Sequence, residues 1–263
     1  NFEAVNLSKV DVRIIKIHEN NILQFLQDNN LNSNDQYSIK KVGRRIAKET
    51  ITLIQDKAQN TGKWKAYSID LSKYLKADPG SIYRVEISFK HEYSLYDCKA
   101  NAEVTEVDED DYYDDYYEED YYASEELSEE EENRREELYW DNLNYNYRNT
   151  NYRWRDRENP CTESYYNYGN RIVSQNLISS DLGVIAKQGN DNTYLFAVTN
   201  ILSTNPESGT KITLYNFQQQ ELASAKTDNE GIIKIDAKKR AAFAIAVKGN
   251  NYSYVKLHDG NSL

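Results

Sequence analysis

TYLFAVTNI (193–201), TKITLYNF (210–217), QELASAKT (220–227), EGIIKID (230–236), AAFAIAVKG (241–249) and NYSYVKL (251–257) follow one another with little else between them. Each run is short, rich in β-branched and aromatic residues and close to period two. The separators STNPESG, QQ, DNE, AKKR and GNN supply the residues that favour turns. With DLGVIAKQ (181–188) and GNDN ahead of them, these runs give about seven strands in roughly 80 residues, with almost no helical periodicity. Such a pattern specifies a complete antiparallel β-sandwich. Ser179-Ser180-Asp181 is the polar break between this block and the preceding strand RIVSQNLI (171–178), so a domain is expected over 180–263.

Working toward the N-terminus, VDVRIIKI (10–17) alternates as a half-buried strand, and Asn20-Asn21 breaks it. NILQFLQDNN (21–30) places Ile22, Leu23, Phe25 and Leu26 at spacing that suits either a short helix or a strand. SIKKVGRRI (38–46) and AKETITLI (47–54) read as strand-like runs with a break at Gly43. WKAYSIDL (64–71) leads to the turn signal Asp78-Pro79-Gly80, and SIYRVEISFKHEYSLY (81–96) alternates again. A first antiparallel sandwich over 1–179 is therefore expected, and the fold class is all-β with two consecutive sandwiches.

Residues 99–160 break this grammar with DEDDYYDDYYEEDYY and SEELSEEEENRREELYW. Within 101–160 there are 22 acids and 6 bases, so this block alone carries −16 of the chain's net −11 and the remainder carries +5. High charge with little aliphatic content cannot offset the ordering entropy of the segment, which therefore reads as an insertion in the first sandwich and not as a domain. Ser124 can cap a polar helix over 125–140. The Tyr, Trp and Arg residues of its last third are suited to lie against the domain surface.

The acidity is thus local, and with no basic stripe the chain is a poor nucleic-acid binder. No apolar run approaches the ~18 residues of a membrane span. The sequence has no Met and no signal-like start, and the expectation is a piece excised from a longer chain.

Cys98 and Cys161 bracket the insertion almost to the residue. In an oxidising compartment a bridge there would staple the insert's base; the alternative is two unrelated buried thiols. Two Cys with His18, His91 and His258 cannot compose a zinc-finger set, and none of the three His sits in a recognisable nucleophile–base setting. Residues 108–120 are dense enough in carboxylate to attract Ca²⁺ loosely, but they lack the Gly and terminal Glu of an EF-hand loop, and a solvated, self-repelling loop is the default. Lys40, Lys41, Arg44 and Arg45 suit a phosphate patch or, more economically, neutralisation of the acidic loop. No phosphate-loop, dinucleotide, zincin or nucleophile-elbow motif occurs. No catalytic, cofactor-binding or metal-ligating residue is singled out, and no enzyme activity is expected.

The remaining motif is Pro206-Glu207-Ser208-Gly209 followed by a strand, then Thr227-Asp228-Asn229-Glu230-Gly231, read as a turn and a hairpin closure at a sandwich edge.

On these residues the chain resembles a known family. DLG (181–183), the V-T-N-x-x-[ST] strand end from Val198, the P-x-x-G turn and the TDxxG motif resemble a macroglobulin-like domain of the bacterial alpha-2-macroglobulins. The first segment, with NFEAVNL, VDVRIIKIHENNILQFLQ, DPGSIYRVEISFKHEYSLY and DCK, resembles the preceding domain of the large Bacteroidetes-type members. The resemblance covers nearly all of the chain except the insert. It implies structural, non-enzymatic domains of an envelope protein, periplasmic or associated with the outer membrane, that traps proteases. Its partners would be neighbouring domains of the same parent chain and, through the whole protein, proteases. In that family cleavage of a bait segment triggers collapse, and many members then attach the protease through a thioester. Cys98-Lys99-Ala100-Asn101 and Cys161-Thr162-Glu163-Ser164 both lack the C-x-E-Q thioester pattern. The competing reading is a stalk or adhesin module of a cell-surface protein, since TDxxG sandwiches also build such rods.

Overall fold

The computed structural model describes residues 1–29, 31, 39–54, 62–72, 74, 80–98, 131, 134, 153–166, 171–189 and 191–257. The chain divides into two compact units: Asn1–Val10, Ile51–Tyr67 and Phe89–Arg171 in one, and Asp11–Thr50, Ser68–Ser88 and Ile172–Leu263 in the other. The described strands form antiparallel sheets and the helices are short, as the all-β reading expects.

In the first unit β1 (Phe2–Ala4) pairs with β4 (Lys65–Tyr67), with the Phe2 and Tyr67 rings stacked at 5.6 Å. Ser8 donates through its backbone N–H and its Oγ to the Tyr93 carbonyl, which fixes the 3₁₀ turn His91–Tyr93. The alternation read through residue 96 therefore stops earlier, where the strand ends at Ser88.

The second unit holds most of a sheet ordered β3 (Gly43–Thr52), β2 (Lys9–Ile17), β5 (Ile82–Ser88), β6 (Val173–Ile178). Both faces of β2 are buried: Val10, Val12 and Ile14 on one, Asp11, Ile15 and Ile17 on the other. Residues 22–28 form a helix, α1 (Ile22–Asp28), which settles the open choice there and buries Ile22, Phe25 and Leu26. The run 38–46 is not one strand. Ile39–Val42 form a short helix, α2, and β3 begins at Gly43 and runs unbroken through the expected second strand. The junction is a close approach: a Cβ on Gly43 would lie 2.8 Å from Ile15 Cγ2, so a larger residue there would require Ile15 to shift.

The C-terminal sandwich packs a sheet ordered β11 (Ile232–Asp236), β8 (Thr193–Asn200), β7 (Leu182–Gln188) against one ordered β10 (Glu221–Lys226), β9 (Lys211–Tyr215), β12 (Phe243–Lys248), β13 (Asn251–Lys256). Tyr194, Phe196 and Val198 alternate into the core, where Leu182, Ile212, Leu214, Ile235, Ala244 and Ala246 meet them. The two quoted motifs form one hydrogen-bonded unit. Thr227 Oγ1 donates to the Glu207 carbonyl at 2.6 Å and accepts the Thr210 N–H at 3.0 Å, pinning the P-x-x-G turn. Asp228 Oδ1 accepts the N–H groups of Glu230 and Ile232, both at 2.9 Å. Gly231, at φ +73°, lies so close that a Cβ would stand 2.4 Å from the Val198 carbonyl oxygen. The motif does not close a hairpin, however. β10 and β11 belong to different sheets, and residues 227–231 carry the chain across the sandwich from one to the other.

Candidate functional site

The residues with the densest polar and aromatic chemistry in the first unit gather around the two cysteines. Cys98 and Cys161 are joined, 63 residues apart in sequence, with their Cα atoms 5.5 Å apart. Directly beyond Cys161, α3 (Glu163–Tyr166) presents Glu163 to His91 Nδ1 in a hydrogen-bonded contact. Tyr166 stacks on the His91 ring at 4.8 Å, meets Phe89 edge-on at 5.9 Å and donates its hydroxyl to the Pro160 carbonyl at 2.6 Å. Partial burial raises the Tyr166 hydroxyl above its ordinary pKa.

Arginines complete the arrangement. Arg171 lies over the Tyr165 ring at 3.8 Å and donates to the carbonyls of Tyr165 and Arg157. Arg157 lies over Trp154 at 3.9 Å. Of these, Trp154 and Arg157 belong to the insert's last third and pack on each other, while Tyr165, Tyr166 and Arg171 lie beyond it. The tetrapeptide at Cys161 is used structurally throughout: Thr162 Oγ1 donates to the carbonyls of Asp156 and Asn159, each at 3.0 Å, and buried Ser164 accepts the Arg153 N–H at 2.9 Å. Both sulfurs are consumed in a bond, and the His91 side chain engages a carboxylate and a ring. This chemistry makes a clamp that holds residues 153–166 and 171 near 89–98, not a nucleophile with its base.

The other candidates do not converge on this clamp. His18 is exposed at the start of the 3₁₀ turn Glu19–Asn21. His258 and residues 108–120 lie outside the described residues, as do 125–140 apart from Glu131 and Arg134, both of which are helical. Lys41 and Arg44 are exposed and Arg45 is half-buried at the α2–β3 junction. Among the described residues, no group of three or more His, Cys, Asp or Glu side chains could hold a metal ion. A cleft of about 390 Å³ in the first unit is lined by Ser8, Lys9, Thr52, Ile54, Glu92, Ser94 and Leu95. Its Ser8 hydroxyl is already committed to Tyr93.

Two features of the second unit were not anticipated from sequence. Arg84 and Glu86 of β5 form a buried ion pair (Nε to Oε1, 2.8 Å), and Arg84 Nη2 also donates to Ser174 Oγ of β6 at 2.7 Å. Their period-two spacing in IYRVEIS is visible in the sequence, but it looks the same as a solvent face. The second is a seam between the N-terminal segments and the last sandwich. Tyr254 donates its hydroxyl to the Gly80 carbonyl at 2.5 Å, and Gln219 Nε2 donates to Gln24 Oε1 and Gln27 Oε1 of α1 at 3.0 and 3.2 Å.

The C-terminal block, held by structural hydrogen bonds at its signature positions, is an antiparallel β-sandwich, and the comparisons liken it to macroglobulin-like domains. Residues 179–263 match the family model of the bacterial alpha-2-macroglobulin MG3 domain, bMG3, which establishes the likeness to that family for this segment. Among solved structures, native alpha-2-macroglobulin from Escherichia coli spanning domains NIE-MG1 is similar at a TM-score of 0.52 and 15% identity, covering 97% of this chain and 86% of that one. The E. coli fragment spanning MG0-NIE-MG1 is similar at a TM-score of 0.50 and 15% identity, again over 97% of this chain but only 57% of its own length. At such identity the likeness is one of fold. A search of curated proteins finds no match. No helix of the described residues is long and apolar enough to cross a membrane.

Proposed function

We propose that the chain supplies two consecutive macroglobulin-like sandwiches, 1–179 and 180–263, to an alpha-2-macroglobulin-like protein of the bacterial cell envelope that traps proteases. The observation that carries this reading is the family match over residues 179–263. In it the chain is structural wall and performs no catalysis. The disulfide-closed clamp holds the base of the acidic insertion, and the partners are neighbouring domains and, through the whole protein, the attacking protease. The Thr227 and Asp228 side chains hydrogen-bond the turn backbone and Gly231 packs against the Val198 carbonyl, which supports a scaffold role for this motif.

The test incubates broad-specificity proteases with this chain and with its full-length parent, following cleavage of a large protein substrate against a small peptide. Trapping predicts selective loss of large-substrate cleavage with the parent and none with this chain alone. A parent that spares both substrates overturns the reading. Selective protection by these 263 residues alone would instead move the inhibitory element into them.

A further inference from the structure

The two units leave different kinds of large side chain in water. Among the described residues of the second unit the exposed hydrophobics are aliphatic apart from Phe217, with Leu202 the most exposed at 79%. In the first unit they are Trp64 at 68%, Trp154 at 60% and Tyr96 at 39%, each a ring that carries a hydrogen-bonding group. The two tryptophans share a second feature. Each stands between two cations in the chain, Lys63-Trp64-Lys65 and Arg153-Trp154-Arg155. Lys63, Arg153 and Arg155 are exposed, and among the described residues their side chains make no hydrogen bond or ion pair.

Both indoles stand on fixed backbone. Trp64 leads directly into β4, whose Lys65 pairs with Ala4 of β1. Trp154 opens the 3₁₀ turn Trp154–Asp156, which is tied to the clamp where the Arg153 N–H donates to Ser164 Oγ. Arg157 covers one face of this indole at 3.9 Å and donates from Nη1 to the Trp154 carbonyl at 2.8 Å, so the exposed area lies on the rest of the ring. The acids beside the two sites are Glu3, opposite Ala66, at the first, and Asp156 and Glu158 at the second, with Glu158 3.7 Å from Arg157. Each site thus keeps only a small cationic excess. Its chemistry is set by the indole together with the cations, not by charge alone.

We propose that Trp64 and Trp154 are interfacial anchors that seat the first unit on a phospholipid surface, each indole at headgroup depth with its flanking cations on phosphate oxygens. An indole between cations suits that boundary: the ring leaves water while its N–H and the neighbouring ammonium or guanidinium groups keep polar partners. The chain's net charge of −11, with 20 acids against 3 bases in residues 102–152, opposes an anionic surface. Zwitterionic phosphatidylcholine, in which every headgroup still carries a phosphate, is therefore the surface these sites fit. Both anchors must reach the same bilayer at once. The proposal goes beyond protease trapping and does not depend on it.

The test follows tryptophan emission as the chain is mixed with phosphatidylcholine vesicles. Trp140→Phe removes the third indole, which lies outside the described residues, and adding Trp154→Phe or Trp64→Phe then leaves one reporter at a time. Both reporters should shift to shorter wavelength and be quenched by lipid brominated near the headgroup. Trp64→Ala and Trp154→Ala should each weaken co-sedimentation with the vesicles about tenfold, whereas Leu202→Ala, more exposed but aliphatic and in the second unit, should leave it unchanged. No shift, a shift of only one reporter, or equal weakening by Leu202→Ala overturns the proposal. So does a shift that a soluble anionic polysaccharide reproduces without lipid, which would make the sites glycan contacts. A full-length parent whose two indoles are already buried before vesicles are added also overturns it, in favour of protein contacts. A parent that binds vesicles but spares proteases keeps the anchors and drops the trapping reading; one that traps proteases and ignores vesicles does the reverse.

Discussion

The C-terminal sandwich and the β3-β2-β5-β6 sheet differ in what their strands ask of each side chain. In β8 the outward Leu195 is 44% exposed while Tyr194 and Phe196 on either side are fully buried, so period two translates directly into inside and outside. In β5 the residues Ile82 to Glu86 are all buried, and the positions that alternation assigns to solvent hold the Arg84–Glu86 pair. An alternating sequence therefore reports one buried face reliably, but a second buried face can satisfy the same pattern with paired charges.

The sharpest way to break this comparison is Glu86→Ala. If the pair is as buried as it stands, removing the carboxylate takes the ion-pair partner from a guanidinium that is 1% exposed and should cost about 3–5 kcal/mol in urea melts. A loss below about 0.5 kcal/mol, the level of a surface substitution, would mean that water reaches β5 and that its alternation was ordinary after all.

Next in size is the clamp. Changing Cys98 and Cys161 together to Ser should lower stability by about 2–4 kcal/mol, because the bridge closes a 63-residue separation and restricts the unfolded chain. The variant should also speed hydrogen exchange in residues 153–166 ahead of the C-terminal sandwich. Non-reducing mass mapping of protein made in an oxidising compartment should find no free thiol; two free thiols would remove the clamp from the fold.

Two glycines at nearly the same backbone angle sharpen the C-terminal side. Gly231→Ala combines a positive φ with a Cβ 2.4 Å from the Val198 oxygen, whereas at Gly209 (φ +72°) the Cβ meets nothing within 4 Å. The first should cost about 2–3 kcal/mol and the second about 1 kcal/mol. Equal costs would show that backbone angle alone explains the TDxxG glycine.

The sandwich core and the disulfide were legible because each rests on a local rule: short alternating runs between turn residues, and two cysteines at a compositional break. What the sequence hid was non-local. Asp228 and Gly231 form a tight turn whether the next strand pairs with β10 or crosses to the other sheet, so the motif alone does not decide between a hairpin and a crossover. Gly43, where the helix Ile39–Val42 passes into β3, sits against Ile15, a contact between residues 28 positions apart that no local pattern reports. The His91–Glu163 contact spans 72 positions and follows from the disulfide that brings the two segments together, not from any pattern in either.

Tyr254 carries a pH-dependent version of the same comparison. Burial, with the Glu19 carboxylate adding to it, raises the hydroxyl above its ordinary value of 10.0. A group whose folded pKa is raised contributes stability that is fully present below its unfolded pKa and is lost as pH climbs through the folded one. The chain should therefore lose stability progressively above pH 10, partly through Tyr254. Tyr254→Phe should cost about 1–3 kcal/mol at neutral pH by leaving the buried Gly80 carbonyl without its donor, and should flatten the alkaline decline. An unchanged alkaline limb would assign the decline to the other tyrosines.

The smallest effect belongs to the most conspicuous sequence. Residues 102–152 hold 20 of the chain's 43 acidic residues against 3 basic ones and little aliphatic surface, whereas the contacts of Arg153, Trp154, Arg157 and Ser164 begin just beyond them. Replacing 102–152 with a short Gly/Ser linker while keeping both cysteines leaves that clamp intact. Loop-closure entropy changes only slowly with length, and shedding the block's self-repulsion acts in the stabilising direction, so the melt should move by at most about 1 kcal/mol. Raising the salt concentration should shift the parent chain more than the shortened one, since the repulsion it screens has been removed. A loss of several kcal/mol would place some of the segment's tyrosines in a core, and charge density would then be a poor guide to where this chain stops folding.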